Sequence, residues 1–412
     1  MRKSLVFLLI VPFSLFGENL LQLIELSKNN KMIDSSRIGI ESTKDTYDSV
    51  KSSYMPQINL GGSYRYNTKE TSGMPEKTAS IQGSLDYVIY DGGKKGNTFD
   101  YYDSTIKSST KSLEDLTNQT ALQVVSYYYN YLSYIAQKET KLQEIEQLQA
   151  QYSRLKKFLD AGTTTEDEVQ KIISNIEIAN VELHELELNI QTITHNLEYI
   201  LGQSVTIENG SSVKEYESKE LKLRADIKAL EYQLEALKSN AKATKSGNLP
   251  TVSFNNTLSY SDYDYDNGGS LSTASDDYER NLSTINLSWN IFDFGATNKS
   301  YEAAYKQYLA LKSQYEYEKN KANVDLKLAK RAFEIGKLKI ESAKAGLKAA
   351  NSAYDLIKAQ YENGIVDNIS YLQALTEKYS AESSLKVALY DLEVRKANII
   401  YYSGETLEEY IK

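Results

Sequence analysis

One signature recurs along the chain at a fixed step: Asp91, Gly93, Gly162 and Gly202 return as Asp293, Gly295, Gly364 and Gly404, each 202 positions later. No insertion separates the two copies between these points. Whatever residues 92–201 build, residues 294–403 must build again.

Between Lys94 and Ala161 there is no proline, and at ~1.5 Å rise per residue that run as a single helix reaches about 100 Å. After Gly162, the stretch Thr165-Glu166-Asp167-Glu168 has the pattern of a capping box, in which the Thr165 hydroxyl and the Glu168 carboxylate satisfy free amides at a new helix start. In the second copy Asp367 stands where Thr165 stood. Each copy therefore predicts a long helix (94–161 and 295–362), a tight glycine turn, and an antiparallel return helix (165–201 and 367–403). On the first return helix Ile172, Ile176, Ala179, Leu183, Leu186, Ile190, Ile193, Leu197 and Ile200 step alternately by four and three, a heptad seam that needs a partner helix. The second copy keeps Leu385, Ala388, Leu392 and Ile399 in register, with Arg395 interrupting.

Residues 1–17 carry Arg2 and Lys3, an apolar run from Leu5 to Phe16 and a small residue before Glu18, the layout of a cleaved secretory signal. Its removal takes two positive charges, so the net charge of −9 becomes −11. Such a surface disfavours nucleic acid, whose phosphates need cationic partners. The chain has no cysteine, hence no disulfide, thiolate metal site or cysteine nucleophile. After the signal no stretch has the apolar length of a membrane helix. Any crossing of a membrane must be made by strands.

Residues 19–54 read as a helix of moderate periodicity that Pro56 ends. Two hairpins of alternating pattern follow, at 56–90 and 250–292. Ile58, Leu60, Leu85, Tyr87, Phe254, Leu258, Leu287 and Trp289 fall on one face, and Asn59, Ser84, Asn255 and Asn286 on the other. These segments have the length of tilted membrane strands with aromatics near their ends, and the first face is assigned to lipid. A soluble sandwich with one solvated face is the alternative. In lipid, a four-stranded sheet with unpaired edges is not viable. Four strands are too few to close, so copies must join; three would make a barrel of about twelve strands with an open lumen, and arithmetic leaves two or four open. Residues 203–219 between the repeats (18–202 and 220–404) form a belt or linker, and 405–412 a tail.

Arg224-Ala225-Asp226-Ile227-Lys228-Ala229-Leu230-Glu231 running through Leu249-Pro250 into a strand, Ile291-Phe292-Asp293-Phe294-Gly295 entering a long helix, and Tyr361-Glu362-Asn363-Gly364 followed by Tyr371-Leu372-Gln373-Ala374-Leu375 resemble the TolC-like outer membrane efflux proteins. The resemblance covers essentially the whole mature chain, duplication included. It implies an α+β membrane protein: a homotrimer whose twelve-stranded β-barrel, four strands per chain, sits in outer-membrane lipid and continues into a periplasmic α-barrel of long antiparallel helical hairpins. It also implies docking to a periplasmic membrane-fusion adaptor and an inner-membrane pump of the RND or ABC type. The tips at Gly162, Thr165, Gly364 and Asp367 would meet the adaptor. Carried over by position, Tyr361 falls on the family's gate tyrosine and Glu168 on its first-tip acid, whereas Ser370 and Gln373 replace two aspartates and Val366 a basic residue. These departures put the usual charged lock in doubt, with Asp367 either substituting for it or only capping its helix.

No catalytic constellation can be argued, so an enzyme is not expected, nor a cofactor or metal. His184 and His195 lie on one helical face without carboxylate company, and Asp262, Asp264, Asp266, Asp276, Asp277 and Glu279 lack the ligand spacing of a calcium loop. Gly336 and Gly346 sit inside the second long helix at about 1 kcal/mol each relative to alanine, which suggests close helix contact or a bend. The reading is an efflux exit duct, with an outer-membrane component of type I protein secretion or a structural periplasmic coiled-coil protein as alternatives.

Overall fold

The computed structural model describes residues 17–69, 74–216, 222–264 and 277–412. The expected signal, apart from Gly17, and the central loop acids Asp266 and Asp276 lie outside the described residues. In chain order the elements are α1 Leu20–Ser27, α2 Lys31–Ser53, β1 Gln57–Tyr66, β2 Lys77–Tyr90, α3 Lys94–Asp160, α4 Glu166–Leu201, α5 Ala225–Lys245, β3 Thr251–Asp264, β4 Asp277–Ser288, α6 Ala296–Glu362 and α7 Asn368–Tyr402. The two long helices, α3 and α6, have 67 residues each. The duplication is thus written into the fold as α3–α4 and α6–α7. The recurring aspartates open the long helices: Asp91 accepts from the Lys95 amide at 2.7 Å, and Asp293 from Gly295 and Thr297 at 2.9 and 2.8 Å.

The helix expected across 19–54 is broken in two. Asn19 and Gln22 form a reciprocal capping box on α1, and Asn30 restarts the chain by accepting from the Met32 amide at 2.7 Å while its amide reaches the Ile200 carbonyl at 2.7 Å. Asparagine competes with the helix for backbone partners, which is why the break falls there.

The chain forms two compact units. The first takes residues to Ser36, Leu113–Ala225 and Lys319–Lys412; the second takes Arg37–Ser112 and Asp226–Glu318. In the first unit one core gathers Leu20, Leu23, Ile24, Val124, Val125, Tyr128, Tyr129, Leu197 and Ile400, and another gathers Leu148, Leu155, Ile172, Tyr371 and Leu375. The α4 seam is buried or half-buried throughout. The linker and tail are tied together: Val213 bridges Ile411, and Tyr128 and Tyr129 donate to the Glu208 and Ser211 carbonyls. Arg395, which breaks the second seam, lies across Gly336. Its Nη1 donates to the Ala332 carbonyl at 2.9 Å and its Nε to Asp391 at 2.8 Å, and a Cβ on Gly336 would stand 2.8 Å from Arg395 Cδ. Gly346 faces open space and nothing in the structure explains it.

In the second unit the strands form one antiparallel sheet in the order β1-β2-β3-β4, which leaves β1 and β4 as edges. The register Ile58–Leu85–Asn256–Ser283 and Tyr87–Phe254–Ile285 puts the expected apolar residues on one face, and Ile58 and Leu60 are each 80% exposed. Trp289 falls beyond the end of β4, where its indole N–H donates to the Asn248 carbonyl at 3.1 Å. Asn256, Asn281 and Ser283 interrupt the apolar face, and the Asn256 amide donates to both partners at 2.8 Å. Mutual hydrogen bonding lowers the cost of placing them there. Among the described residues no helix is long and apolar enough to cross a membrane.

Candidate functional site at the helical tips

Both hairpin tips are closed by the same helix ending. At the first, Gly162 N–H donates to Leu159 and Thr163 N–H to Phe158; at the second, Gly364 N–H donates to Tyr361 and Ile365 N–H to Gln360. Gly162 and Gly364 adopt left-handed φ of 70° and 71°, a conformation that strains side chains carrying a Cβ. The first turn of α4 carries Glu166, Asp167 and Glu168 at the positive end of the helix dipole.

The expected box at Thr165 and Glu168 does not form. Thr165 occupies the cap position with no side-chain hydrogen bond, and it is the Thr164 hydroxyl, one residue earlier, that donates to Glu168. At the second tip Asp367 does cap, accepting from the Ser370 amide at 2.9 Å. The Ser370 hydroxyl and amide, with Lys171 nearby, hold the Asp367 carboxyl below its usual range.

Tyr361 sits within a buried polar and aromatic cluster. Gln151 Nε2, on α3, donates to the Tyr361 hydroxyl at 2.5 Å and to Asn368 Oδ1 at 3.0 Å. Gln151 and Asn368 are buried, 6% and 2% exposed, and the Asn368 Nδ2 has no hydrogen-bond partner among the described residues. The Tyr361 ring stacks on Tyr371 at 5.0 Å, and the Arg154 guanidinium lies over it at 5.4 Å. Tyr371 contacts the Tyr354 hydroxyl at 3.5 Å. Burial pushes the Tyr361 and Tyr371 hydroxyls up.

Glu168 and Tyr361 share no hydrogen bond within the protomer, each being engaged with another partner. Ser370 and Gln373 lie off this cluster: Gln373 donates to Glu377 at 3.0 Å and lines, with Lys171, Asn175 and Leu372, a groove of about 290 Å³ between α4 and α7. Val366 is half-buried beside the turn. Gln151 and Asn368 escaped the sequence reading because they come together across 217 positions. The only local clue was a polar amide, Gln151, between the apolar residues Leu148 and Leu155.

The histidines correct the sequence expectation. His184 and His195 have carboxylate company, Glu187 at 3.3 Å and Glu198 at 3.4 Å, each one turn along α4. Among the described residues no group of three or more His, Asp or Glu could hold a metal ion. Of the loop acids, Asp264 pairs with Lys77 at 3.2 Å.

The family model described as outer membrane efflux protein matches residues 23–203 and 218–405, one match for each repeat. The curated outer membrane efflux protein BepC of Brucella suis is 22% identical over 397 residues, covering 93% of this chain and 84% of its own. Among solved structures, a membrane protein from Pseudomonas aeruginosa superposes with a TM-score of 0.83 at 18% identity, covering 93% of both chains. The outer membrane protein VceC from Vibrio cholerae superposes with a TM-score of 0.82 at 15% identity, covering 94% of this chain and 96% of its own.

Proposed function

Because the chain belongs to the outer membrane efflux protein family, as a channel of the outer membrane that reaches into the periplasm, we propose that three copies assemble into the passive exit duct of a tripartite efflux system. One observation carries the assembly: the sheet leaves β1 and β4 unpaired while its apolar face is bare. In hydrocarbon each unpaired backbone group costs several kcal/mol. The edge β4 of one copy therefore pairs with β1 of the next, and the family resemblance sets the number at three. The tips at Gly162, Thr165, Gly364 and Asp367 meet a periplasmic adaptor, which couples the duct to an inner-membrane pump.

The closed state is held at the tips by the buried tie from Gln151 to Tyr361 and Asn368, in place of a charged lock. Its support is that the α3 amide reaches both the end of α6 and the start of α7. Purified protein in planar bilayers tests the reading. Small single-channel conductance is expected for the native chain, and a several-fold rise for Gln151→Ala and Tyr361→Phe. Absence of conductance in all three would sink the duct. Conductance that is unchanged by either substitution would sink the tie.

A further inference from the structure

The polar face of the sheet carries three charged side chains among the described residues, and they are sorted along the strands. Gln57, Asp86, Asn255 and Thr284 share one row across the sheet. Four residues on, Gly61, Gln82, Ser259 and Arg280 share another, and four beyond that come Arg65, Thr78 and Tyr263. At ~3.4 Å per residue these rows are about 14 Å apart. β2 ends at Tyr90 and α3 begins at Lys94, so Asp86 lies toward the end of the sheet from which the long helices leave; the arginines lie toward the hairpin loops.

The carboxylate is held by neutral donors from three strands. Asn59 on β1 donates to Oδ2 at 3.2 Å, Ser84 on β2 to the same oxygen at 3.1 Å, and Asn255 on β3 to Oδ1. Asn255 is itself oriented by the Thr257 hydroxyl, which donates to its Oδ1 at 3.1 Å. Among the described residues no lysine or arginine pairs with Asp86. Hydrogen bonds from neutral donors fix the position of a charge without cancelling it, so its field is left to act on whatever passes. The remaining charges of the strands, Lys77, Asp262, Asp264, Asp277 and Glu279, are on the opposite face.

Resting on the reading that copies close this sheet into a water-filled barrel, we propose that Asp86 is a selectivity-determining residue of the duct. Its ring of carboxylates favours small cations at the helix-side end of the barrel lumen, and Arg280 and Arg65 impose the opposite preference nearer the outside. The effect depends on screening. Fixed charges act over about 10 Å at ~0.1 M salt and about 3 Å at ~1 M.

The full-length protein in planar bilayers under a KCl gradient tests this. Asp86→Asn is expected to lower the potassium-to-chloride permeability ratio about two-fold at ~0.1 M salt, Arg280→Gln to raise it, and both changes to vanish near ~1 M. A second arm is independent of the tips. The chain lacks cysteine, so Gln57→Cys, in the same row as Asp86, offers one reactive thiol; its preference for a cationic over an anionic thiol reagent is expected to fall when Asp86→Asn is added. Normally conducting channels in which neither ratio moves would overturn the selectivity role alone. If the native chain shows no conductance and its Gln57→Cys form no reagent preference, the duct reading fails with it. Should Asp86→Asn fail to assemble, the Arg280→Gln shift decides.

Discussion

At the residue scale the tip cluster has a defined pH response. The Tyr361 and Tyr371 hydroxyls are raised by burial, so the folded protein keeps protons that the unfolded chain releases. Their contribution to stability is complete below the unfolded value of about 10 and is lost as pH rises through the higher folded values. Amide exchange at the start of α7 is expected to accelerate above pH ~10 beyond its intrinsic base catalysis, and so is exchange in the core around Leu20 and Val124, where burial also raises the Tyr129 hydroxyl. Asp367 acts in the opposite sense: its depressed carboxyl stabilises above the ordinary carboxyl range and loses this as pH falls through the folded value. The two interior glycines of α6 also separate. Gly336→Ala drives a Cβ against Arg395 Cδ and, at 3.0 Å, Leu392 Cδ1, and because Arg395 is held by two hydrogen bonds it is expected to cost about 1 kcal/mol. Gly346→Ala meets nothing and is expected to gain up to about 1 kcal/mol. Thermal melts in detergent check both; equal shifts would show that the Arg395 contact carries no weight.

At the scale of elements, the two return helices begin with different chemistry. Asp367→Ala removes a working cap and is expected to cost about 1 kcal/mol, whereas Thr165→Ala removes a hydroxyl that caps nothing and is expected to cost much less. Hydrogen exchange in the first turn of α7 and of α4 measures the difference. The sequence marked both positions as caps, because residue type and the spacing to Glu168 are all that a local pattern holds. Which of two adjacent threonines bends toward Glu168 depends on the path of the turn. Likewise α1 and α2 read as one weak helix, since the Asn30 contact to the Ile200 carbonyl belongs to a neighbouring helix rather than to the segment itself.

For the whole molecule, the sheet face and its edges carry the predictions. Leu258→Arg, on the apolar face midway along the sheet, is expected to cost about 2–4 kcal/mol, and would appear as reduced recovery in the outer membrane and loss of heat-modifiable migration. On the polar face, Gln82→Arg is expected to leave both unchanged; equal sensitivity at the two positions would argue against a lipid-facing sheet. With no native cysteine, cysteines scanned along β1 against Thr284→Cys on β4 are expected to give, on oxidation, covalent species ending at the trimer. A ladder ending at the dimer would refute the closure proposed.

The duplication, the turn glycines, the shift from a period of two to a helical period, and the heptad seam on α4 were all legible in the residues, because each is a local rule that the chain obeys wherever it folds. The sequence alone thereby determined the fold class and the family resemblance, and the face on which most strand residues lie. Only the tertiary structure decided that Gln151 holds Tyr361 and Asn368, that Arg395 occupies the space left by Gly336, that Asn256 interrupts the apolar face, and that Asp86 is held by Asn59, Ser84 and Asn255. These partners meet across helices or strands, in most cases tens to hundreds of positions apart, and no periodicity encodes which side chain will stand opposite another once the elements have packed.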